Sequence, residues 1–452
     1  MKLIGLEIHG YLNTEEKLFC NCSSSISEKS NTNICPICTG QPGSKPMLPN
    51  KEAIKKSIQI GLMLNTKINI TENNKNLIWQ RKHYSWPDLP KGYQNTLSGT
   101  YAIPIGQNGN FLGVRIKELH LEEDPAAWNP ETGEIDYNRS GLPLIEIVTE
   151  PDFSSSEQVA DWLKNLLITL SYIKAIKKSS GIKADVNVNI KGKSERAEIK
   201  NIHSISDIIK TIEYELKRHE KERPKSMETR RWNSAKSITE PMRSKESQAD
   251  YRFISDPDLP SIKILKKEVD KIQKMLPETP EKKLKKLVKK HKIDEKDAKI
   301  LTKNLELVEL VENLSKHIDV KNHISWITVE LLRVLNYSKK TLEEVEIQAE
   351  HIAELIKEVA KGKITELKAK QIMNEFIPKS FSIKNKKDIS KIKNTEITNI
   401  CVKVIKENQK AVQDYKNGEE KSLNFLIGKV MSLSNRRADY KTAKNELLKL
   451  LN

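Results

Sequence analysis

Two phosphate-binding signatures are missing from this chain: there is no GxxxxGK[ST] and no GxGxxG. A nucleotide, if one is used, is therefore held neither by a P-loop nor by a Rossmann turn. No apolar run approaches the length of a membrane span. The opening MKLIGLEIHG is no signal peptide, because Glu7 and His9 interrupt its apolar stretch. These absences predict a soluble, cytoplasmic protein with no membrane partner. Internal repeats and sustained heptads are also lacking, which excludes a solenoid or a long coiled coil. Cysteine is nearly confined to one group, four of five residues in all.

What is present is charge. The net charge is +17 and hydrophobic residues make up 37% of 452, enough for the ordinary cores of two to four domains. The charge is unevenly placed. Residues 1–265 hold 37 Lys/Arg against 33 Asp/Glu, and residues 266–452 hold 41 against 28. The basic C-terminal part could hold a polyanion such as RNA. An AT-rich genome, favouring Lys, Ile and Asn throughout, gives the same bias without a ligand.

Against this background the stretch 119–152, LHLEEDPAAWNPETGEIDYNRSGLPLIEIVTEPD, stands out. It holds nine acids and one full cation, Arg139. Its ends read as strands, and period two puts Leu144, Glu146, Val148 and Glu150 on one face. Glu146 thus sits within an apolar strand, where an ionised carboxylate is costly unless paired or bound to a metal. Clustered carboxylates without local cations suit a hard cation such as Mg2+. The competing reading is a solvated acidic loop, which fits Glu131 to Asp136 better than Glu122 or Glu146.

Residues 3–9 read as a first strand with Glu7 and His9 on one face: a metal-ligand pair, or simply a half-exposed strand. Cys20-Asn-Cys22 and Cys35-Pro-Ile-Cys38 have the grouping of a closed, structural zinc site. Disulfides are the alternative, disfavoured in the cytoplasm. In RKHYSWPDLPKGYQ (81–94) prolines forbid a helix, and cations alternate with aromatics. Tyr84, Lys91 and Tyr93 there suit stacking on bases and contact with phosphates, or a Pro-stiffened structural loop. Ser154-x-x-Glu157 predicts a capping box opening an amphipathic helix. Strands are expected at 184–190 and 196–202, a helix from about Asp207, and a charged loop over 243–260. From Thr279-Pro280 the pattern is helical almost to the end, with Asp294 opening one helix through Val311 and Thr341–Glu344 a second capping box.

The motifs GLEIH, KLFCNC, NTNICPIC, PDLPKGYQ, LHLEED, NRSGLPLIEIVTEPD, DVNV, EIKNIHS, RSKES–ADYR and PDLP, in this order, resemble the GatB family, the B component of the glutamyl/aspartyl-tRNA amidotransferase. The likeness is dense over residues 3–265 and looser over the final GKVMSLSNRRADY. It implies an α+β fold: a cradle of mixed sheets and helices with a zinc-binding insertion (1–265), an all-α domain (266–390) and a small YqeY-like helical tail that grips tRNA (391–452). It also implies an enzyme that phosphorylates the side-chain carboxylate of misacylated Glu-tRNA(Gln) or Asp-tRNA(Asn) with ATP. Ammonia from a GatA-like glutaminase then displaces the phosphate, in a heterotrimer completed by a small GatC-like chain.

By the same resemblance His9, Glu122 and Glu146 match Mg2+ ligands, Glu7 and Glu150 stand close by, and the four cysteines match a zinc knuckle. The chain departs from the family after the Glu-Glu-Asp triplet, where Pro125-Ala126-Ala127 replaces Ala-Gly-Lys. The phosphate contact of that lysine is then expected from Arg139 or Lys200. A family arginine before DVNV is replaced by Lys183, and the Gly-Lys-rich tail loop by Asn435-Arg436-Arg437, so Arg436 and Arg437 become the expected tRNA contacts. Two hypotheses follow: a catalytic kinase–transamidase subunit, or a non-catalytic tRNA-binding or assembly subunit on the same scaffold. Retention of His9, Glu122 and Glu146 favours the first.

Overall fold

The computed structural model describes residues 1–451 except 26, 28, 74, 85, 100, 178–180 and 243–251. Most of the charged loop expected over 243–260 therefore lies outside the described residues. The chain forms two units, Met1–Thr279 and Pro280–Asn452.

The first unit is built on fourteen strands among the described residues. In chain order these are β1 (Lys2–Tyr11), β2 (Lys67–Ile68), β3 (Gln80–His83), β4 (Gln94–Thr96), β5 (Gly106–Phe111), β6 (Val114–Glu123), β7 (Ala127–Trp128), β8 (Ile135–Asp136), β9 (Pro143–Thr149), β10 (Ile182–Ile190), β11 (Ala197–Ile202), β12 (Glu228–Asn233), β13 (Ile238–Pro241) and β14 (Arg252–Ser255). Twelve of them form one sheet in the order β13-β12-β11-β10-β1-β9-β6-β4-β3-β14, with β5 and β2 branching from β6. β7 and β8 pair as a separate ribbon. All pairings are antiparallel except β11 with β12.

Period two decides what each strand does. On β1, Ile4, Leu6 and Ile8 are buried, as are Ala184, Val186 and Val188 on β10 and Ile145 and Ile147 on β9. They join one core with the helices α1 (Lys51–Met63), α2 (Ser156–Tyr172), α3 (Ile205–Glu222) and α4 (Lys266–Met275). The opposite strand faces carry the polar side chains. Asn50 caps α1 through the amides of Glu52 and Ala53. The cap of α2 is Ser155, which accepts from the Gln158 amide, one residue later than the expected box. Ser154 instead bonds the Gln158 side chain. α3 opens at Ser204.

The second unit is helical: α5 (Pro280–His291), α6 (Glu295–Leu301), α7 (Leu305–Leu314), a π turn Trp326–Leu331 continuing into α8 (Leu332–Ser338), α9 (Ala349–Ala360), α10 (Glu366–Asn374), α11 (Asn394–Glu407), α12 (Gln409–Lys416), α13 (Glu420–Leu433) and α14 (Tyr440–Leu451). The helix expected to run from Asp294 through Val311 is in fact two, because Asn304 caps a new helix at the Leu307 amide. The Thr341 capping box encloses only a 3-10 turn. This unit has two cores, one drawn from Leu287–Ile389 and one from Ile392–Leu451 that includes Cys401. No described helix is long and apolar enough to cross a membrane.

Candidate active site

The polar face of the sheet gains its order from register. In β1 and β9, His9 lies directly opposite Glu146; in β9 and β6, Glu146 lies opposite His120; in β1 and β10, His9 lies opposite Lys183. Directly paired residues of antiparallel strands share a face. One row therefore crosses four strands: Lys183, His9, Glu146, His120. The neighbouring row on one side contains Asp185, Glu7 and Glu118, and the other contains Tyr11, Glu122 and Thr96.

Burial alone would discharge both members of the central pair. Their proximity prevents it: His9 Nε2 lies 3.3 Å from Glu146 Oε1. Against that burial, the hydrogen bond and charge of His9, reinforced by His120, hold Glu146 down at about 2. Glu146 in turn lifts His9 to about 9. His120 is anchored on both ring nitrogens, to Leu97 O at 3.0 Å and Glu118 at 3.3 Å. Burial, then the charge of Glu146, pushes the Glu7 carboxyl above its ordinary range.

The other expected acids are arranged differently. Glu122 is 5% exposed and its carboxylate accepts from Thr96, from Ser98 at 2.9 Å and from Gln94 at 3.1 Å. It does not share a single ion's coordination distance with His9 and Glu146. Among the described residues the only carboxylates close enough to do so are Glu7, Asp185 and Glu198, within 4.8 Å of one another. Lys200 already sits there, 2.7 Å from Asp185 and paired with Glu198. Glu150 lies just past the end of β9, half-buried, its amide bonded to Arg115 O at 2.9 Å. Arg139 Nε is 3.0 Å from Asp124 and 2.9 Å from Pro125 O, and Nη2 reaches Ala126 O at 2.5 Å. Both cations expected to meet phosphate, Arg139 and Lys200, are thus held internally.

The four cysteines do converge. Their sulfurs lie within 4.8 Å of one another, with Cys38 Sγ 3.9 Å from Cys35 and 4.0 Å from Cys22. A tetrahedron of Zn–S bonds has edges of about 3.8 Å. All four thiols are free. The Cys35 amide donates to Cys38 Sγ at 3.2 Å. Hydrogen bonding from Cys20, against burial, lowers the Cys38 thiol to about 4. The donor set fits zinc. The lobe is docked on the acidic loop: Ser140 Oγ donates to Cys38 O at 2.7 Å, and Asn138 accepts from the Thr32 and Asn33 amides. At Gly40 the backbone has φ +64°, and a Cβ would meet Pro90 O at 2.5 Å, so only glycine fits against the PDLPK turn.

The interleaved stretch 81–94 turns largely inward. Lys91 pairs with Glu123 and lies 5.1 Å from the Tyr93 ring centre, over which Arg81 also sits at 4.4 Å. Arg81 is further held by Asp256 at 2.9 Å. Tyr84 is half-buried, whereas Trp86 is 53% exposed and meets Trp128 edge-on at 5.6 Å. In the second unit Arg436 is exposed in a left-handed turn at φ 60° and Arg437 lies 3.4 Å from Asp388. Sequence reasoning missed His120, Asp185 and Glu198. His120 had a signal, since it shares period two with Glu118 and Glu122; the others needed the strand order.

Two family models match the chain: the GatB/GatE catalytic domain over residues 2–270 and the GatB domain over residues 309–451. Three relatives, each named as the B component of an aspartyl/glutamyl-tRNA(Asn/Gln) amidotransferase, are similar over nearly their whole lengths. The protein from Methanocaldococcus jannaschii is 42% identical, covering 98% of this chain and 96% of its own. Those from Methanosphaera stadtmanae and Methanobrevibacter smithii are each 40% identical over 97% of this chain, covering 96% and 97% of their own.

Proposed function

The chain belongs to the GatB family, and from that membership we propose that it is the component of an aspartyl/glutamyl-tRNA amidotransferase that carries out the transamidation itself. The substrate is Glu-tRNA(Gln) or Asp-tRNA(Asn). The terminal phosphoryl group of ATP passes to the side-chain carboxylate, ADP leaves, and ammonia attacks the activated acyl carbon and expels phosphate. A glutaminase subunit supplies the ammonia and a small third chain completes the complex. The cytoplasm is the compartment in which the four thiols stay reduced for zinc.

The observation that carries this reading is the row through His9, Glu146 and His120, an ionised carboxylate paired with one imidazole and opposite a second in register on the polar face. Phosphoryl transfer asks little covalent chemistry of a protein and much positioning and charge stabilisation. Mg2+, when bound, would neutralise charge developing on the phosphate oxygens. Glu146 and His9, opposite one another in register, are the residues we assign to it, a small set of the kind Mg2+ uses while keeping waters and substrate phosphates as further ligands. His120, bonded to Leu97 O and to Glu118, stands opposite Glu146 in register. Basic residues of 266–452, with Arg436 and Arg437 at an exposed turn, contact tRNA phosphates.

The test is Glu146→Gln in the assembled complex, which keeps the shape and removes the charge. Amidated tRNA should form at least about a hundredfold more slowly, while tRNA binding persists. Amidation at the parental rate would remove Glu146 from the site, and tRNA binding without amidation in the parental complex would favour the non-catalytic role.

A further inference from the structure

The cations on and around this sheet are not equivalent. Lys91 is paired with Glu123, Arg139 with Asp124, and Lys200 with Asp185 and Glu198. Lys183 differs. Its Nζ has one hydrogen-bond partner among the described residues, the Tyr11 hydroxyl at 3.4 Å, and lies 5.6 Å from that ring's centre. No described carboxylate lies within ion-pair distance of it. Tyr11 is itself fixed, donating to Asp124 Oδ2 at 2.6 Å, and Asp124 is gripped by Arg139. The ammonium is thus aimed by a chain of three neutralised groups and, among the described residues, left without a counterion of its own.

Electrostatics agree with the geometry. Burial pushes Lys183 below its ordinary range, and Asp124 and Asp185 only partly offset this. His203 is lowered by burial and then by the charges of Lys183 and Arg139. A half-buried positive corner lacking an anion is costly in isolation and favourable once an anion arrives. Its place is informative: Lys183 heads the row that continues through His9 and Glu146. The chain has no P-loop to cradle a terminal phosphate, which leaves a place for a side-chain cation beside the metal, and a lysine ammonium is a compact point charge suited to that task.

We propose that Lys183 is the cation that binds the terminal phosphoryl group of the nucleoside triphosphate, with Tyr11 as the residue that positions it. This rests on the transamidase reading above. Lys183 moves no proton: as the P–O bond to the nucleoside diphosphate breaks and the bond to the substrate carboxylate oxygen forms, it stays charged and stabilises the phosphoryl oxygens.

The experiment compares Lys183→Met, Lys183→Arg and Tyr11→Phe with the parental three-chain complex. Amidation rates are measured separately against ATP and against aminoacyl-tRNA. Lys183→Met should lower kcat/KM for ATP about 10²–10³-fold, Lys183→Arg should restore it to within about tenfold of parental, and Tyr11→Phe should cost about tenfold. The melting temperature of Lys183→Met should not fall, because an uncompensated ammonium does not stabilise the fold. A Lys183→Met complex within about threefold of parental for ATP would overturn the proposal. So would a loss confined to the KM for aminoacyl-tRNA, which would place the lysine on the substrate carboxylate. A lowered melting temperature unrescued by arginine would likewise overturn it, in favour of a structural cation. A parental complex that consumes no ATP on either aminoacyl-tRNA would instead refute the transamidase reading.

Discussion

Glu215 lies on α3 with no exposed surface and is surrounded by donors: Arg218 at 2.8 Å, His219 at 3.2 Å, Arg230 at 3.3 Å, and the Thr239 hydroxyl. These tie the helix to β12 and β13. Burial works against its charge, but bonds from His219, Arg218 and Thr239 prevail and hold the carboxyl at about 2. The gap from the ordinary 4.5 corresponds to about 3 kcal/mol of folding stability. A second route gives the same scale, since removing one partner of a buried ion pair costs about 3–5 kcal/mol. Glu215→Gln should therefore lower the urea midpoint of the first unit by about 1 M, taking a slope of about 3 kcal/mol/M for a unit this large. Tryptophan fluorescence reports it, because Trp79, Trp86, Trp128, Trp162 and Trp232 all belong to that unit. The pH dependence has a fixed sign. A depressed carboxylate contributes stability above its unfolded value, and that stability is lost as pH falls from about 4.5 towards 2. The glutamine variant should lack this portion of the acid loss. Equal midpoints at neutral pH, or an undiminished acid loss in the variant, would refute the reasoning.

The cysteine lobe should carry about one zinc per chain, and chelation should expose four reactive thiols and loosen the docked loop 129–141; substoichiometric metal with freely reactive thiols counts against it. Deleting residues 391–452 removes one whole core of the helical unit, and should weaken tRNA binding and flatten its salt dependence while glutamine hydrolysis by the glutaminase, assayed without tRNA, continues. Unchanged tRNA affinity would move the contact elsewhere.

Local patterns in the sequence were reliable guides wherever the physics is local. The alternation of KLIGLEIHGY placed Glu7 and His9 on the face away from the core, and the apolar run 143–149 became β9 with Glu146 where period two puts it. The cysteine spacing brought four sulfurs together. What was not legible depends on strand order. Nothing in the sequence says that β1 lies between β9 and β10, so that His9 meets Glu146 while Glu7, two residues away, faces Asp185. The surroundings of Glu122 are hidden in the sequence for a related reason. Gln94–Thr96 is too short and polar to read as a strand, yet it pairs with β6 and surrounds that carboxylate with donors. The cation–aromatic alternation of 81–94 was visible, but the cations stack on the stretch's own Tyr93, and Asp256 locks Arg81 from 175 residues away.

The distribution of charge separates two tasks that a basic protein acting on tRNA must keep apart. The excess lies beyond residue 265, where 41 cationic residues face 28 acidic ones. On and around the sheet, by contrast, Lys91, Arg139 and Lys200 each have a carboxylate partner. A strongly positive face would attract any stretch of a polyanion's backbone, because phosphate attraction is independent of sequence. It would then hold tRNA in many unproductive registers. Neutralising those cations locally leaves long-range attraction to the helical unit and reserves the face for one small anion in one position. Selectivity here comes from withholding unpaired charge as much as from supplying it. That is why one lysine without a counterion among the described residues, on the fourth strand from the edge of a twelve-stranded sheet, carries more functional information than the protein's net charge.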